Sequence, residues 1–494
     1  MYYQGKRGSR IKLLALGAAV LFVVTSALVA THAQPSPGEG EVSSSSLNYN
    51  YIGKVWVTPR QGEPGTLVEL QGTGFPAGTE LEILWQKFQG SWKVENAEFY
   101  GREYTQELEA IAKVRSSAAG EFEAKFTVPE GFGFIHDVIV AQNGEILNKA
   151  AFEVEMEASI SPVSGPVGTP ITLDLKGVGW RPLENSWLLL YDNKFTGWLS
   201  AVTTKGVARA IIPATGRPGK HILQILHGAF TFPYMNMQQS PQPDRPTFTL
   251  EFTVTDGTPI LPLPAQEQGF FEEPSLPIFT VGKPAIWSNP QGGSVGISIT
   301  IQGEGFPTSA SVDFLWYRVI GSRVSGQGWT EEGSSPGVTK VAQDGTFQFS
   351  FPAPDDLGGA HRIEAQIEGK VVAETEFILT PSAFGIEPTS GPAGTIATIH
   401  LKGVGWTETA NIYTVVYDNG YLGYSCGFNS QGDVTIYLPM TGEPGWHFID
   451  LYPAIYKGED IKEVNNFRIP QLTYAEDHPG EKLPAFRFAF EVTE

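Results

Sequence analysis

The sequence predicts an all-β chain of four tandem β-sandwich modules in an A-B-A-B duplication. Three observations carry that expectation: an opening that recurs four times, apolar residues alternating with a period of two, and 56 glycines with 36 prolines in 494 residues. A strand with one buried face must alternate, because successive side chains point to opposite faces. Phe347-Gln348-Phe349-Ser350-Phe351 and Thr247-Phe248-Thr249-Leu250-Glu251-Phe252-Thr253-Val254 do so. Short runs of this kind, separated by Gly, Pro, Asp and Asn about every ten residues, point to sandwiches. The best helical candidate in the exported part is Glu107 to Lys113, read as a short insertion in the first module.

The openings are Pro59-Arg60-Gln61-Gly62-Glu63-Pro64-Gly65-Thr66, Pro162-Val163-Ser164-Gly165-Pro166-Val167-Gly168-Thr169, Pro290-Gln291-Gly292-Gly293-Ser294-Val295-Gly296-Ile297 and Pro388-Thr389-Ser390-Gly391-Pro392-Ala393-Gly394-Thr395. A glycine–aromatic corner follows each, and the corners sort the modules into two types. Gly72-Thr73-Gly74-Phe75-Pro76 pairs with Gly303-Glu304-Gly305-Phe306-Pro307, and Lys176-Gly177-Val178-Gly179-Trp180 with Lys402-Gly403-Val404-Gly405-Trp406. The first and third modules also share Leu84-Trp85 and Leu315-Trp316. The second and fourth share Tyr191-Asp192-Asn193 and Tyr417-Asp418-Asn419, then Thr215-Gly216-Arg217-Pro218-Gly219-Lys220-His221 and Thr441-Gly442-Glu443-Pro444-Gly445-Trp446-His447. Internal repetition of this kind divides the chain into a flexible linker at 34–50, module A1 at 51–156, B1 at 157–256, a Pro/Glu-rich linker at 257–281, A2 at 282–380 and B2 at 381–494. Few residues separate A from B within each copy, so each pair is expected to pack as a fixed unit.

The openings and corners resemble the bacterial IPT/TIG group of immunoglobulin-like domains, most clearly at Ser164-Gly165-Pro166-Val167-Gly168-Thr169 and Ser390-Gly391-Pro392-Ala393-Gly394-Thr395. The match covers mainly the first third of each module, and the third has Ile297 where the others have threonine. The resemblance implies four tandem immunoglobulin-like β-sandwich modules in a secreted or cell-surface protein with a binding or spacer role. It carries no catalytic residue over, and a sandwich by itself does not name a function.

The formal charge is −20, and without residues 1–33 it is −24, with 29 basic against 53 acidic residues. Such a balance excludes nucleic acid as a partner, since phosphates need a basic face. Lys6, Arg7, Arg10 and Lys12 precede an uncharged run over 13–30 that ends in Thr31-His32-Ala33. This is a signal peptide cleaved after Ala33 or Ala30, or a signal anchor attaching the chain to a membrane through 13–30. Either places the rest of the chain outside the cytoplasm. The single cysteine, Cys426, allows no intrachain disulfide and is expected to be a buried, inert thiol.

The candidate chemistry is sparse. Gly423-Tyr424-Ser425-Cys426-Gly427 has the spelling of a nucleophile elbow, but it falls between strands where that device needs a strand-to-helix turn. Four histidines, His136, His221, His361 and His447, hold equivalent places at the start of a late strand, about a hundred residues apart. A metal would need ligands that converge. A ring that packs at the strand start and bonds a turn serves all four equally. The two Tyr-Asp-Asn segments read as turns, and no calcium loop, phosphate loop or zinc helix is present. No metal, cofactor or catalytic residue is therefore expected. The binding candidates are two long insertions, 230–246 with Tyr234, Met235 and Met237, and 457–484 with Phe467 and Tyr474. Loops this long are often functional. They either present rings to an extracellular glycan or protein, or cap a sandwich and pack on the neighbouring module. The expected function is non-enzymatic structural or adhesive display, with a carbohydrate-binding array as the alternative and a hydrolase third.

Overall fold

A computed structural model describes residues 51–95, 98–228, 232–239, 246–264, 283–322, 328–456, 468–480 and 482–494. The first sandwich comprises β1 (Lys54–Thr58), β2 (Gln61–Gly62), β3 (Leu67–Thr73), β4 (Glu80–Glu95), β5 (Glu98–Arg115), β6 (Phe122–Thr127), β7 (Phe134–Gln142) and β8 (Glu145–Val154). A three-stranded sheet in the order β1-β3-β6 faces a five-stranded sheet in the order β2-β8-β7-β4-β5. All pairs are antiparallel except β2 with β8. The same three-plus-five arrangement recurs in the second, third and fourth sandwiches. The prolines of the four openings, Pro59, Pro162, Pro290 and Pro388, each follow a cis peptide bond where the chain passes from one sheet to the other.

Each sandwich buries its inward-facing strand residues. Val68, Leu70, Leu81, Ile83, Trp85 and Phe152 form the heart of the first, and Ile299, Ile301, Phe314, Trp316, Ile363 and Phe377 that of the third. The shared tryptophans Trp85 and Trp316 stack on His136 and His361, with ring centroids 4.8 and 4.5 Å apart.

Glu107–Lys113, expected to be helical, lies within β5. Backbone pairing with β4 overrides helix preference there, as strand neighbours commonly do. Lys87 faces Glu107, Leu84 faces Ala110 and Ile83 faces Ala112. The carboxylates then meet cations and amides across the strands: Lys87 Nζ donates to Glu109 Oε2 at 2.9 Å and Gln89 Nε2 to Glu107 at 3.1 Å. The stretch is the base of a long two-stranded arm whose outer end is the pairing of Glu95 with Glu98.

The corners that distinguish the B modules are the joints to the A modules. Gly133 N–H donates to the Val178 carbonyl at 3.0 Å in the first copy, and Gly358 N–H to the Val404 carbonyl at 3.1 Å in the second. Val178 and Val404 in turn donate to Gly206 and Gly432. The corner tryptophans seat on A-module rings, Trp180 on Phe88 at 3.9 Å and Trp406 beside Trp329 at 5.9 Å. A side chain at Gly133 would overlap the Gly177 carbonyl, and one at Gly358 the Gly403 carbonyl. Gly133→Ala and Gly358→Ala are therefore each expected to destabilise the chain by about 1–3 kcal/mol. Urea unfolding followed by tryptophan fluorescence, with Gly423→Ala as a control in open space, checks this.

Candidate binding groove at the junction of the second and fourth sandwiches

The two B modules, more than two hundred residues apart in sequence, pack directly on each other. Equivalent positions touch: Lys194 lies against Gly420, the rings of Phe195 and Tyr421 are 6.2 Å apart, and Arg217 Nη2 meets Glu443 Oε1 at 2.9 Å. Contact between equivalent positions is the mark of a local two-fold relation. The core of the second sandwich takes in Val416, Tyr452 and Leu472 of the fourth. The A1 arm reaches the same place. Phe99, Leu188, Trp198, Ile455 and Ile469 form one buried cluster drawn from three sandwiches.

Residues 468–480, from the second insertion, fasten this junction. The outer strand of the second sandwich, Lys194–Leu199, takes an extended neighbour: Trp198 N–H donates to the Pro470 carbonyl and Leu472 N–H to the Trp198 carbonyl, both at 2.9 Å. Gly197 leaves the room for that approach. Asp477, buried, accepts four hydrogen bonds, from Val202 N–H (2.8 Å), Thr203 N–H (2.9 Å), Thr203 Oγ1 (2.8 Å) and Trp92 Nε1 (2.9 Å). Ser200 and Thr473 hydroxyls meet at 2.9 Å beside it.

The Tyr-Asp-Asn segments are tight hairpin turns, with Asp192, Asn193, Asp418 and Asn419 all at positive φ between 46° and 62°. Their aspartates hold the repeated histidines. His221 Nδ1 lies 2.6 Å from Asp192 Oδ2, and His447 Nδ1 2.6 Å from Asp418 Oδ2. The other ring nitrogen of each, as in His136 and His361, bonds the carbonyl four residues earlier. In the A modules a backbone carbonyl, Gln86 or Tyr317, replaces the aspartate. All four rings thus have both nitrogens engaged. Burial keeps the His136 ring below its ordinary 6.5, against the pull of its carbonyl partners. Burial also acts to lower His447, but the hydrogen bond and charge of Asp418 outweigh it and leave it raised.

The two-fold relation fails at one point, and the failure opens a groove. On one side Asn419, fully buried, donates from Nδ2 to the Pro213 carbonyl (2.9 Å) and Thr215 Oγ1 (3.1 Å), while its backbone carbonyl accepts from Thr196 Oγ1 (2.7 Å). On the other side its counterpart Asn193 is exposed and makes no such bond. There a groove of about 460 Å³ runs between the modules, with Phe195, Phe232, Tyr421 and Leu422 on its apolar walls and Lys194 and Thr441 at its polar edge. Phe232 lies edge-on to Phe195 at 5.4 Å and near-parallel to Tyr421 at 6.4 Å. Burial pushes the hydroxyls of Tyr417 and Tyr421 up to about 12, so both act as neutral donors, to the Thr441 and Arg468 carbonyls.

No protein-family model matches this chain. No curated protein matches it either. Among solved structures it is similar to E. coli alpha-2-macroglobulin in the native conformation, at 11% identity over 90% of this chain and 30% of that one. It is similar also to the Yersinia pseudotuberculosis adhesin InvE, at 10% identity over 66% of this chain and 58% of that one. The TM-score is 0.16 in both cases, so neither likeness bears on what this chain does. The chain spans less than two thirds of either structure's length.

The residues expected to bind ligand fall in different surroundings. Tyr234 and Met235 are exposed on the described part of the first insertion, and Met237 begins a short 3-10 turn, Met237–Gln239. Tyr474 packs against Tyr452 at 5.9 Å and against the second sandwich's core, as part of the fastening segment. Phe467 lies outside the described residues, as do the segment 13–30 and residues 265–281 of the Pro/Glu-rich linker. Cys426 corrects its expectation: it is exposed, because the strand Gly420–Cys426 is the outer edge of its sheet and turns this residue away from the core. Ser425 of that strand donates to the Tyr413 carbonyl of the neighbouring strand, Ile412–Tyr417, at 3.2 Å. Among the described residues no group of three or more His, Cys, Asp or Glu side chains is placed to hold a metal, and no helix is long and apolar enough to cross a membrane. Sequence reasoning overlooked Phe195, Tyr421 and Asp477 and read Asn419 only as part of a turn; their roles exist only once the B modules meet.

Two outcomes test this geometry. Asp477→Ala leaves buried N–H groups unpaired and is expected to cost about 3 kcal/mol or more, read from thermal unfolding. Asp418→Asn is expected to cost about 1.5–3 kcal/mol while His447 is protonated. Because the His447 pKa is raised on folding, this contribution is full below its ordinary 6.5 and is lost as pH rises through the raised value. Denaturation midpoints at about pH 5.5 and about pH 9 should show the deficit shrinking with pH.

Proposed function

We propose that this chain is a non-enzymatic extracellular or cell-surface protein whose IPT/TIG-like modules act as a structural or adhesive display platform. The observation that carries the reading is the three-way junction. The first, second and fourth sandwiches share one buried cluster, so the chain presents a preassembled surface and not a string of independent beads. Preorganisation of this kind lowers the ordering cost of binding. The side chains that could have served catalysis are occupied otherwise: the Asp–His pairs close hairpin turns, and Ser425 bonds its neighbouring strand. The basic, then apolar, amino-terminal sequence supports export.

Surface labelling of intact cells with a membrane-impermeant reagent should modify the chain; a pool confined to the cytoplasm would refute the reading. Purified chain should turn over no glycoside, ester or peptide substrate above background. Hydrolysis that disappears in a Ser425→Ala or His447→Gln variant would overturn the non-enzymatic assignment.

A further inference from the structure

We propose that Phe232-Pro233-Tyr234-Met235-Asn236 of the first insertion is a strap that docks on the outer edge of the strand Gly420–Cys426, as Ile469-Pro470-Gln471-Leu472-Thr473 docks on Lys194–Leu199. The two segments share a spelling: an apolar residue, a proline, a residue with a polar tip, a methionine or leucine, then an amide or hydroxyl. A phenylalanine stands two residues before each, Phe230 and Phe467. They also leave their sandwiches at the same place. One lies between the strands Gly219–His227 and Phe248–Val254, the other between Gly445–Ala454 and Phe486–Thr493. The local two-fold relation between the modules carries the one docking onto the other.

The receiving edge matches the edge already filled. Trp198 lies opposite Leu188 and turns its N–H and C=O outward, to Pro470 and Leu472. Tyr424 holds the equivalent register opposite Thr414, and both ladders shift at the same step, Leu189/Leu190 and Val415/Val416. Its backbone groups therefore face outward too. Among the described residues no strand or segment pairs with them, and the Arg468 side chain reaches only the Tyr424 hydroxyl and ring. At Gly197 the space beside the backbone is filled by Pro470 and Leu472. At its counterpart Gly423 no heavy atom lies within 4 Å of where a side chain would begin.

The strap is already anchored at its first residue. Phe232 lies against Phe195 and Tyr421, the two rings that pack on the buried cluster containing Ile469. Past that anchor the strap turns apolar surface to solvent, with Met235 74% exposed, and so does the edge at Leu422 and Tyr424. Docking buries both surfaces and gives the outward N–H and C=O of Tyr424 their partners, the Pro233 carbonyl and the Met235 N–H. Pairing of an extended segment with a free strand edge is a general mode of recognition, and here only a few residues need ordering. Docking also covers Cys426. Its counterpart Ser200 is fully buried, with its hydroxyl 2.9 Å from that of Thr473, and the counterpart of Thr473 is Asn236.

Cys426 is the chain's single cysteine and so reports docking directly. In the full chain, maleimide labelling of Cys426 should be slower by about tenfold or more than in Met235→Pro, which removes the N–H that pairs with Tyr424. Circular dichroism should show the sheets of that variant intact, since Met235 is exposed and supports no core. Equal labelling rates would overturn the proposal. The second measurement places a partner for the thiol. Asn236→Cys should form an intramolecular disulfide with Cys426 on mild oxidation, read as loss of both free thiols in a chain that stays monomeric. Gln238→Cys, two residues further on, should close about tenfold more slowly or not at all. No disulfide in Asn236→Cys, or equal rates in the two variants, would overturn the proposal. Cross-linking of Asn236→Cys only between chains would overturn it as well, by showing that the edge takes the segment of a second copy.

Discussion

An outer strand carries a row of backbone N–H and C=O groups that want partners, and this constraint organises the molecule. In the second sandwich the strand Lys194–Leu199 meets it with Pro470 and Leu472, from a segment that belongs to the fourth. The fastening of the junction by residues 468–480 follows from that pairing. The segment must lie flat, which Gly197 allows; it brings Asp477 to the otherwise unpaired N–H groups of Val202 and Thr203; and Asp477 in turn receives the indole N–H of Trp92 from the A1 arm. A single strand edge thereby draws three sandwiches together.

Duplication explains both the order and the irregularity of the assembly. Two copies of one module can meet through the same surface on each, and the contacts of Phe195 with Tyr421 and of Arg217 with Glu443 record that meeting. Divergence then acted on the two halves separately. Thr196 carries a hydroxyl where Leu422 has none, and Asn419 is buried where Asn193 is exposed. The groove lies where the halves stopped matching.

Much of the architecture was legible in the residues. Period-two alternation, four openings and two kinds of corner lead to four sandwiches of two types, since each rests on local chemistry that a strand or turn must obey. Tyr-Asp-Asn read correctly as a turn, and the histidines as rings at the start of a strand. That the aspartate of the first holds the second, 29 residues on, was not visible, because strand pairing sets the distance and sequence spacing does not. Glu107–Lys113 misled for a related reason. Its helix-favouring Glu, Leu and Ala are held extended by the opposite strand. The junction itself left almost no local trace: Asp477 looks like any loop acid until Val202 and Trp92 are set beside it.

The fastening segment has a consequence for how the chain is made. The partners of the A1 arm and of the second sandwich lie far downstream: Phe99 N–H bonds Glu408 at a separation of 309 residues, and Trp92 bonds Asp477 at 385. A chain synthesised from its amino terminus presents the second sandwich with its strand edge still open until Pro470 and Leu472 emerge. Contacts so distant in sequence form late and slowly, and the interval exposes an edge that can pair with a neighbouring chain. The fourth module is thus the closing piece of the second sandwich as well as a module of its own, and loss of residues 468–480 would be felt in the first and second sandwiches.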